Sequence, residues 1–187
     1  SMNPSTQEIL QGIDRAEAQQ IIVLPNNSNV TEAARQASGM SSKVVRVVPS
    51  KTIPQGIAAM LSFNTEEAIE SNTASMGNAL ETVCTAEITK AVRSTKIDNV
   101  KVIAGQTIGL IDGTLISAGD SDIEALRAIM NYAKPSPGSM VTLYWGADAT
   151  LLEAKALADW LGFNLTHVEL DLIHGGQPHY RYIISIE

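Results

Sequence analysis

Two short apolar runs, each followed by a polar loop that contains proline, constrain the fold of this chain more than any other feature. The first run spans residues 21–24 and leads into Pro25-Asn26-Asn27-Ser28-Asn29. The second spans residues 44–48 and leads into Pro49-Ser50-Lys51-Thr52-Ile53-Pro54-Gln55-Gly56. Each run is rich in β-branched residues and predicts a buried strand followed by a capped helix. Two consecutive strand-loop-helix units predict parallel neighbouring strands, with both loops at the carboxyl edge, where open α/β sheets bind ligands.

The first loop places neutral hydrogen-bond donors and acceptors at the start of a helix. Unpaired backbone N–H groups and the positive end of the helix dipole favour an anion there, so a phosphate or a carboxylate is one candidate ligand. The alternative is that the side chains only cap the helix and tolerate turn conformations. The sequence has no glycine-rich phosphate cradle, which argues against a nucleotide. The candidate binding residues of this loop are Asn26, Asn27, Ser28 and Asn29.

The second loop adds a cation between two hydroxyls. Lys51 lies between Ser50 and Thr52, and Gln55 follows shortly after. This set is suited to neutralising a carboxylate or an acidic side chain of a partner protein. The alternative is a solvated lysine beside a helix cap. We favour a binding role because both loops are expected at the same edge of the sheet.

A third candidate binding segment lies near the end of the chain. Its residues are Gly175, Gly176, Gln177, His179, Tyr180 and Arg181. Glycines let the backbone approach another surface closely, and tyrosine and arginine often anchor interfaces. The alternative is a plain connection between two strands.

The sequence offers no metal site and no catalytic constellation. The three histidines do not have the helical spacing of a zinc site, and the lone Cys84 cannot complete a structural cluster. We expect His167 to be structural, on a strand among buried neighbours, and His174 and His179 to lie in a surface turn. A nucleophile elbow, a P-loop and an acid–base pair are all missing, so we predict no catalytic residue.

Hydrophobic spacing along the chain predicts two α/β lobes, over residues 3–80 and 81–187. The N-terminal lobe is expected to hold parallel strands, and helices over residues 7–19, 31–38, 53–63 and 65–80. The C-terminal lobe is expected to hold a mixed sheet with an antiparallel hairpin, because Asp112-Gly113 suits a tight primed turn. Its helices are predicted over residues 121–133 and 148–161, and its strands over residues 82–91, 108–111, 115–117, 140–145, 164–173 and 180–186.

Composition narrows the kind of partner and the cell compartment. The 187 residues are 44% hydrophobic, which is enough for a core, and 13 Lys+Arg against 20 Asp+Glu give a net charge of -7. That balance argues against a nucleic-acid surface or an anionic membrane, because both require clustered basic residues. A single cysteine, with no signal peptide and no membrane-spanning stretch, predicts a cytoplasmic protein. Ser1-Met2 resembles a cloning remnant and a start residue, so we expect an excised domain.

Four motifs occur in order along the chain. They are Asn3-Pro4-Ser5-Thr6, the two proline-containing loops, and the ending Gly175-Gly176-Gln177-Pro178-His179-Tyr180-Arg181-Tyr182-Ile183-Ile184-Ser185-Ile186-Glu187. Together they resemble the C-terminal domain of the catalytic component of bacterial fatty acid kinase, which is also described as containing a dihydroxyacetone-kinase-like domain. The resemblance covers residues 3–187. It implies the two-lobed fold of DegV-like proteins, which form the fatty-acid-binding carrier of the same kinase.

The resemblance also implies a role in bacterial lipid metabolism and phospholipid synthesis. In that family a nucleotide-binding kinase domain and a middle domain precede this region, so ATP and Mg are expected in the kinase domain and no cofactor in this one. We therefore expect a non-catalytic domain that docks the DegV-type carrier, so that the kinase domain can phosphorylate the acyl carboxylate. The alternative is a domain that itself binds a fatty acid or another small carboxylate, with hydroxyls from Ser28, Ser50 and Thr52.

We expect this chain to bind no ATP with micromolar affinity, because its sequence has no recognisable phosphate-binding motif. Isothermal titration calorimetry with ATP and Mg²⁺ measures the affinity. Micromolar binding, or magnesium-dependent formation of an acyl phosphate by this chain alone, would contradict the prediction.

Overall fold

Two short parallel strands form the sheet that the two apolar runs predict. A computed structural model describes residues 3–97 and 100–187 of the chain, so the predicted cloning remnant at residues 1 and 2 lies outside the described residues. The chain divides into two compact units, Ser1–Val83 and Cys84–Glu187. Each unit combines helices with strands, which confirms the predicted α/β class.

The N-terminal unit contains two strands and four helices within the described residues. The strands pair in parallel, from Gln20 opposite Val44 to Val23 opposite Val47. Short 3₁₀ turns at Ser28–Val30 and Leu80–Thr82 flank the helices. The elements are α1 (Thr6–Arg15), β1 (Gln20–Val23), α2 (Thr31–Met40), β2 (Val44–Val47), α3 (Ile53–Leu61) and α4 (Ile69–Ala79).

Local capping chemistry sets where two of these helices begin. Ser5 and Glu8 form a reciprocal capping box at the start of α1. The Thr52 side chain accepts a hydrogen bond from the backbone N–H of Gln55, and Pro54 occupies the first turn of α3, where its missing N–H costs nothing. The sequence therefore predicts both starting points.

Tertiary contacts shift two helix ends away from their predicted positions. α1 ends at Arg15 instead of residue 19, because the Lys43 ammonium donates hydrogen bonds to the last carbonyls, those of Ile13 (2.9 Å), Asp14 (3.1 Å) and Ala16. α4 begins at residue 69 instead of 65. Asn72, only 2% exposed, bonds to the backbone of residues 64, 67 and 68 and holds that stretch in turns.

The C-terminal unit is built on a mixed sheet of six strands in the order β7-β6-β3-β10-β8-β9. All neighbours are antiparallel except β8 and β9, which are parallel. The hairpin predicted at Asp112-Gly113 joins β6 to β7. The elements are β3 (Cys84–Lys90), β4 (Thr95–Ile97), β5 (Val100–Val102), β6 (Thr107–Ile111), β7 (Thr114–Gly119), α5 (Asp122–Ala133), β8 (Met140–Trp145), α6 (Leu151–Asn164), β9 (Glu169–His174) and β10 (Tyr180–Ile186).

The main core of this unit lies between the sheet and the helices α5 and α6. Strand β10 is central, paired with β3 on one side and β8 on the other, and it is buried from Tyr182 to Ile186. Tyr182 and Ile184 are 0% exposed and pack in the same cluster as Leu126 of α5 and Leu157 of α6. The strand predicted over residues 180–186 is therefore confirmed and lies in the core of this unit.

Three sequence-based predictions for this unit were wrong or incomplete. β9 begins at Glu169 instead of residue 164, because α6 continues to Asn164. His167 is exposed in the turn before β9, where its Nε2 lies 3.1 Å from the Pro135 carbonyl oxygen, so it is not a buried strand residue. The short antiparallel pair of β4 and β5 was not predicted, since three-residue strands give too few alternations to detect.

We expect Ile184→Ala to lower the free energy of unfolding by about 2–5 kcal/mol, because it leaves a cavity in the core. Ile173→Ala on edge strand β9 is the control, since Ile173 is 38% exposed and should cost much less. Chemical denaturation measures both variants. Equal losses for the two would contradict the central position of β10.

Candidate functional site

The two polar loops of the N-terminal unit meet through one pair of residues. The Ser50 hydroxyl donates a hydrogen bond of 2.7 Å to Asn26 Oδ1, and the backbone N–H of Asn26 lies 3.0 Å from Ser50 Oγ. Ser50 is 0% exposed. Since the loops follow the parallel strands β1 and β2, this contact places them together at the carboxyl edge, as predicted.

Helix α3 packs against the first loop at Asn26, next to the contact between Asn26 and Ser50. Asn26 adopts a left-handed backbone conformation, with φ of 54°, and its side chain lies directly against Gly56. A Cβ atom at residue 56 would lie 2.1 Å from Asn26 Oδ1, far inside van der Waals contact. Gly56 is therefore required for the first loop to dock on α3.

Other predicted site residues make hydrogen bonds inside the unit. Gln55 accepts from the backbone N–H of Lys51 at 2.8 Å and donates to the Leu80 carbonyl at 3.2 Å. Thr52 caps α3. Asn27 accepts from the N–H of Asn29 at 3.0 Å and donates to Asn3 Oδ1 at 3.2 Å. The hydrogen bonds of these side chains hold the loops at the edge of the sheet in place.

The outward-facing part of this edge is small and carries one cation. Ser28, Asn29 and Lys51 are exposed, and the Lys51 ammonium forms no ion pair with any residue that the structure describes. Since the Ser50 hydroxyl is buried, a ligand or partner at this edge would meet these three residues first. The edge is thus a polar surface with a single positive charge among its described residues.

The third candidate segment belongs to the C-terminal unit. Arg181 Nε lies 2.9 Å from Asp122 Oδ2, and another guanidinium nitrogen lies 2.8 Å from Glu153 Oε1. A third nitrogen donates to the carbonyl of Asp148. Hydrogen bonds from the Thr150 hydroxyl and N–H, with the guanidinium of Arg181, lower the pKa of Glu153. Arg181 therefore makes its ion pairs within the C-terminal unit. No local sequence pattern predicts these pairs, because the partners are distant along the chain.

The turn before β10 is packed against the end of β8. The Gln177 amide donates to the Tyr144 carbonyl at 3.0 Å. The prediction that His174 lies in a surface turn was wrong, because His174 is the last residue of β9 and its ring stacks on Trp145 with 3.9 Å between centroids. Gly176 and His179 have positive φ angles of 65° and 72°. Burial raises the pKa of Tyr180. Of this segment, Gly175, Gly176 and His179 are exposed.

A cavity of about 330 Å³ with both polar and apolar lining residues in the N-terminal unit was not predicted from the sequence. The charged side chain in its lining is Glu67, and no lysine or arginine is among the lining residues described. Its residues are scattered over β1, the residue after it, α3, α4 and the segment between these two helices, so no local sequence pattern marks the cavity. The lining consists of Gln20, Ile22, Leu24, Met60, Phe63, Thr65, Glu67, Ile69, Asn72 and Met76.

Residues 3–97 and 100–187 contain neither a cluster of metal ligands nor a membrane-spanning helix. No group of three or more His, Cys, Asp or Glu side chains is arranged there to hold a metal ion. No helix in those ranges combines the length and the apolar character needed to cross a lipid bilayer.

We expect Gly56→Ala to destabilise the N-terminal unit by about 1–3 kcal/mol, because the new methyl group overlaps the Asn26 side chain. Gly12→Ala is the control, since a Cβ atom at residue 12 of α1 would meet nothing within 4 Å. There the better helix former should be neutral or stabilising by up to about 1 kcal/mol.

A double mutant tests whether the overlap is the cause. Asn26→Gly removes the clashing side chain and suits the positive φ angle, so Gly56→Ala should cost less in that background. Thermal unfolding of the unchanged chain, the two single variants and the double variant gives the coupling free energy between residues 26 and 56. If Gly56→Ala lowers the free energy of unfolding by the same amount with and without Asn26→Gly, the contact between residues 26 and 56 is contradicted.

Two solved structures that share this fold hold fatty acids. A Streptococcus pneumoniae fatty acid kinase B3 protein loaded with linoleic acid superposes with a TM-score of 0.69 at 11% identity, covering 98% of this chain and 76% of that one. A DegV family protein from Eubacterium eligens loaded with heptadecanoic acid gives 0.68 at 15% identity, covering 99% and 78%. At these identities the likeness establishes the DegV-like fold, as predicted.

Sequence relatives are much closer. Protein YloV of Bacillus subtilis is 35% identical over 187 residues, which is 100% of this chain and 34% of YloV. An uncharacterized Staphylococcus epidermidis protein is 33% identical over the same length, again 34% of its own chain. This chain thus spans about a third of the curated relatives it matches. The family of FakA-like fatty acid kinase C-terminal domains matches residues 1–187, and the chain belongs to that family.

Proposed function

We propose that this chain is the carrier-docking domain of a fatty acid kinase. It receives a DegV-type protein that carries the fatty acid, so that a kinase domain elsewhere in a longer protein phosphorylates the acyl carboxylate. Family membership supports the link to fatty acid kinase. The length of the relatives leaves room for a kinase domain, which would hold the ATP and Mg.

The observation that carries the proposal is the construction of the carboxyl edge. The buried Ser50 hydroxyl donates its hydrogen bond to Asn26, so it is not available to donate to an inward-facing carboxylate. What it presents is an exposed polar surface with Lys51. A surface of this kind suits a protein partner, with the cation steering an acidic patch into place.

Direct binding of a fatty acid is the second candidate function, and the cavity in the N-terminal unit is the observation that favours it. Its volume of about 330 Å³ is at the lower end of the range for ligand pockets. Ile22, Leu24 and Met76 give it apolar walls. The carboxylate of Glu67 would repel an acyl carboxylate, however, so the cavity suits an apolar group better than a fatty acid head.

Titration of a fatty-acid-loaded DegV-type carrier into this chain tests docking. We expect Lys51→Glu to weaken the complex by about 1–3 kcal/mol, through repulsion from an acidic patch on the carrier. Lys155→Glu is the matched control, because Lys155 is an exposed lysine on α6 that gives the same change in charge. Isothermal titration calorimetry measures both dissociation constants.

The outcomes separate the two functions. Unchanged affinity for Lys51→Glu and for Asn27→Ala would exclude the polar loops from the interface. If no complex forms at micromolar concentrations, the docking proposal fails. Saturable binding of linoleic acid by this chain without the carrier would favour the second function instead.

A further inference from the structure

An arm that spans residues 92–104 in sequence connects β3 to β6, and the structure describes its residues 92–97 and 100–104. Two hydrogen bonds of 2.8 Å close its base, from the Ala91 N–H to the Gln106 carbonyl and from the Gly105 N–H to the Ala91 carbonyl. Inside the arm β4 and β5 are antiparallel, with Val102 of β5 only 1% exposed. The arm is therefore anchored at its base and by one buried side chain.

The arm is basic within an acidic chain. Its sequence holds Arg93, Lys96 and Lys101 against a single acid, Asp98, whereas the whole chain has a net charge of -7. Lys96 pairs directly across the strands with Lys101, and both side chains are exposed. Like charges in that position repel. None of these three cations forms an ion pair within residues 3–97 and 100–187.

Apolar side chains accompany the cations. Val92 precedes β4 and is 95% exposed, and Ile103 follows β5 and is 48% exposed. Val100 is 44% exposed. Exposed aliphatic side chains next to lysine and arginine are the combination that lipid interfaces select, because headgroups take the charges while the aliphatic groups reach the acyl boundary.

We propose that this arm binds the surface of an anionic lipid bilayer. Arg93, Lys96 and Lys101 contact the lipid phosphates, and Val92 and Ile103 enter the boundary between headgroups and chains. The attachment is peripheral. The net charge of -7 led us to expect no anionic membrane partner, but that expectation treated the chain as a whole. Charges more than about 8 Å away are largely screened at physiological ionic strength, so the local charge of the arm determines whether it attracts anionic lipids.

The same observations disfavour a nucleic acid as the occupant. Proteins that bind single strands use aromatic side chains for base stacking, and the arm, residues 92–104, contains no aromatic residue. Its exposed apolar side chains are aliphatic. The inference does not depend on the proposed docking function, since it concerns a different segment and a different occupant.

Co-sedimentation with vesicles tests the proposal on the whole chain. We expect binding to vesicles of equal parts phosphatidylglycerol and phosphatidylcholine, weakening as salt rises, and none to phosphatidylcholine alone. The double variant Lys96→Glu/Lys101→Glu should lose affinity at least about 30-fold, because each lysine near the surface contributes roughly fivefold. Val92→Ser should weaken binding without changing its dependence on salt.

Arg127→Glu/Lys155→Glu is the control, since these exposed cations on α5 and α6 give the same change in net charge outside the arm. It should retain most of the vesicle affinity, and thermal melts should show that all variants fold. Equal losses in both double variants would overturn the proposal, because net charge alone would then explain binding. Absence of binding to anionic vesicles at low salt would overturn the proposal too. If Lys96→Glu/Lys101→Glu then weakened a complex with the carrier instead, the arm would be assigned to a protein partner and the lipid proposal would still fail.

Discussion

The ion pairs of Arg181 join the central strand of the C-terminal unit to the first turns of both of its helices. The guanidinium projects from the central strand and binds carboxylates in the first turns of both helices, Asp122 on α5 and Glu153 on α6. Arg181 and Asp122 are only 16% and 13% exposed in their side chains, so losing Arg181 would leave the nearly buried Asp122 carboxylate without its counterion. One side chain thus fixes both helices over the strand whose Tyr182, Ile184 and Ile186 form the core.

The N-terminal unit uses neutral polar groups for the equivalent task. Ser50 and Asn26 join the two loops, and Gly56 gives the Asn26 side chain the space it needs. Because these groups satisfy one another, the edge keeps its shape without a ligand. The exposed residues of this edge, which include Lys51, can therefore contact a partner without disturbing the sheet.

Local chemistry made much of the fold predictable from sequence. Thr52 and Ser121 cap α3 and α5, and the alternation before Asp112-Gly113 predicts the hairpin. What sequence could not supply were contacts between distant residues. The end of α1 depends on Lys43, and Gly56 is needed because of Asn26, thirty positions earlier. At the candidate site the meeting of the loops was predictable, whereas the burial of Ser50 was not, because burial depends on side-chain packing.

The central position of β10 has a consequence for the synthesis of the protein. Ala86 of β3 pairs with Ile184, so the sheet of the C-terminal unit stays open until the ribosome has released the last of its strands. The N-terminal unit, Ser1–Val83, needs none of those residues for its own strand pairing and can fold earlier. During the interval β3 and β8 each expose an unpaired edge, which is a template for pairing with another nascent chain. Translation speed over residues 84–187 is therefore expected to affect the yield of folded protein more than translation speed over residues 1–83.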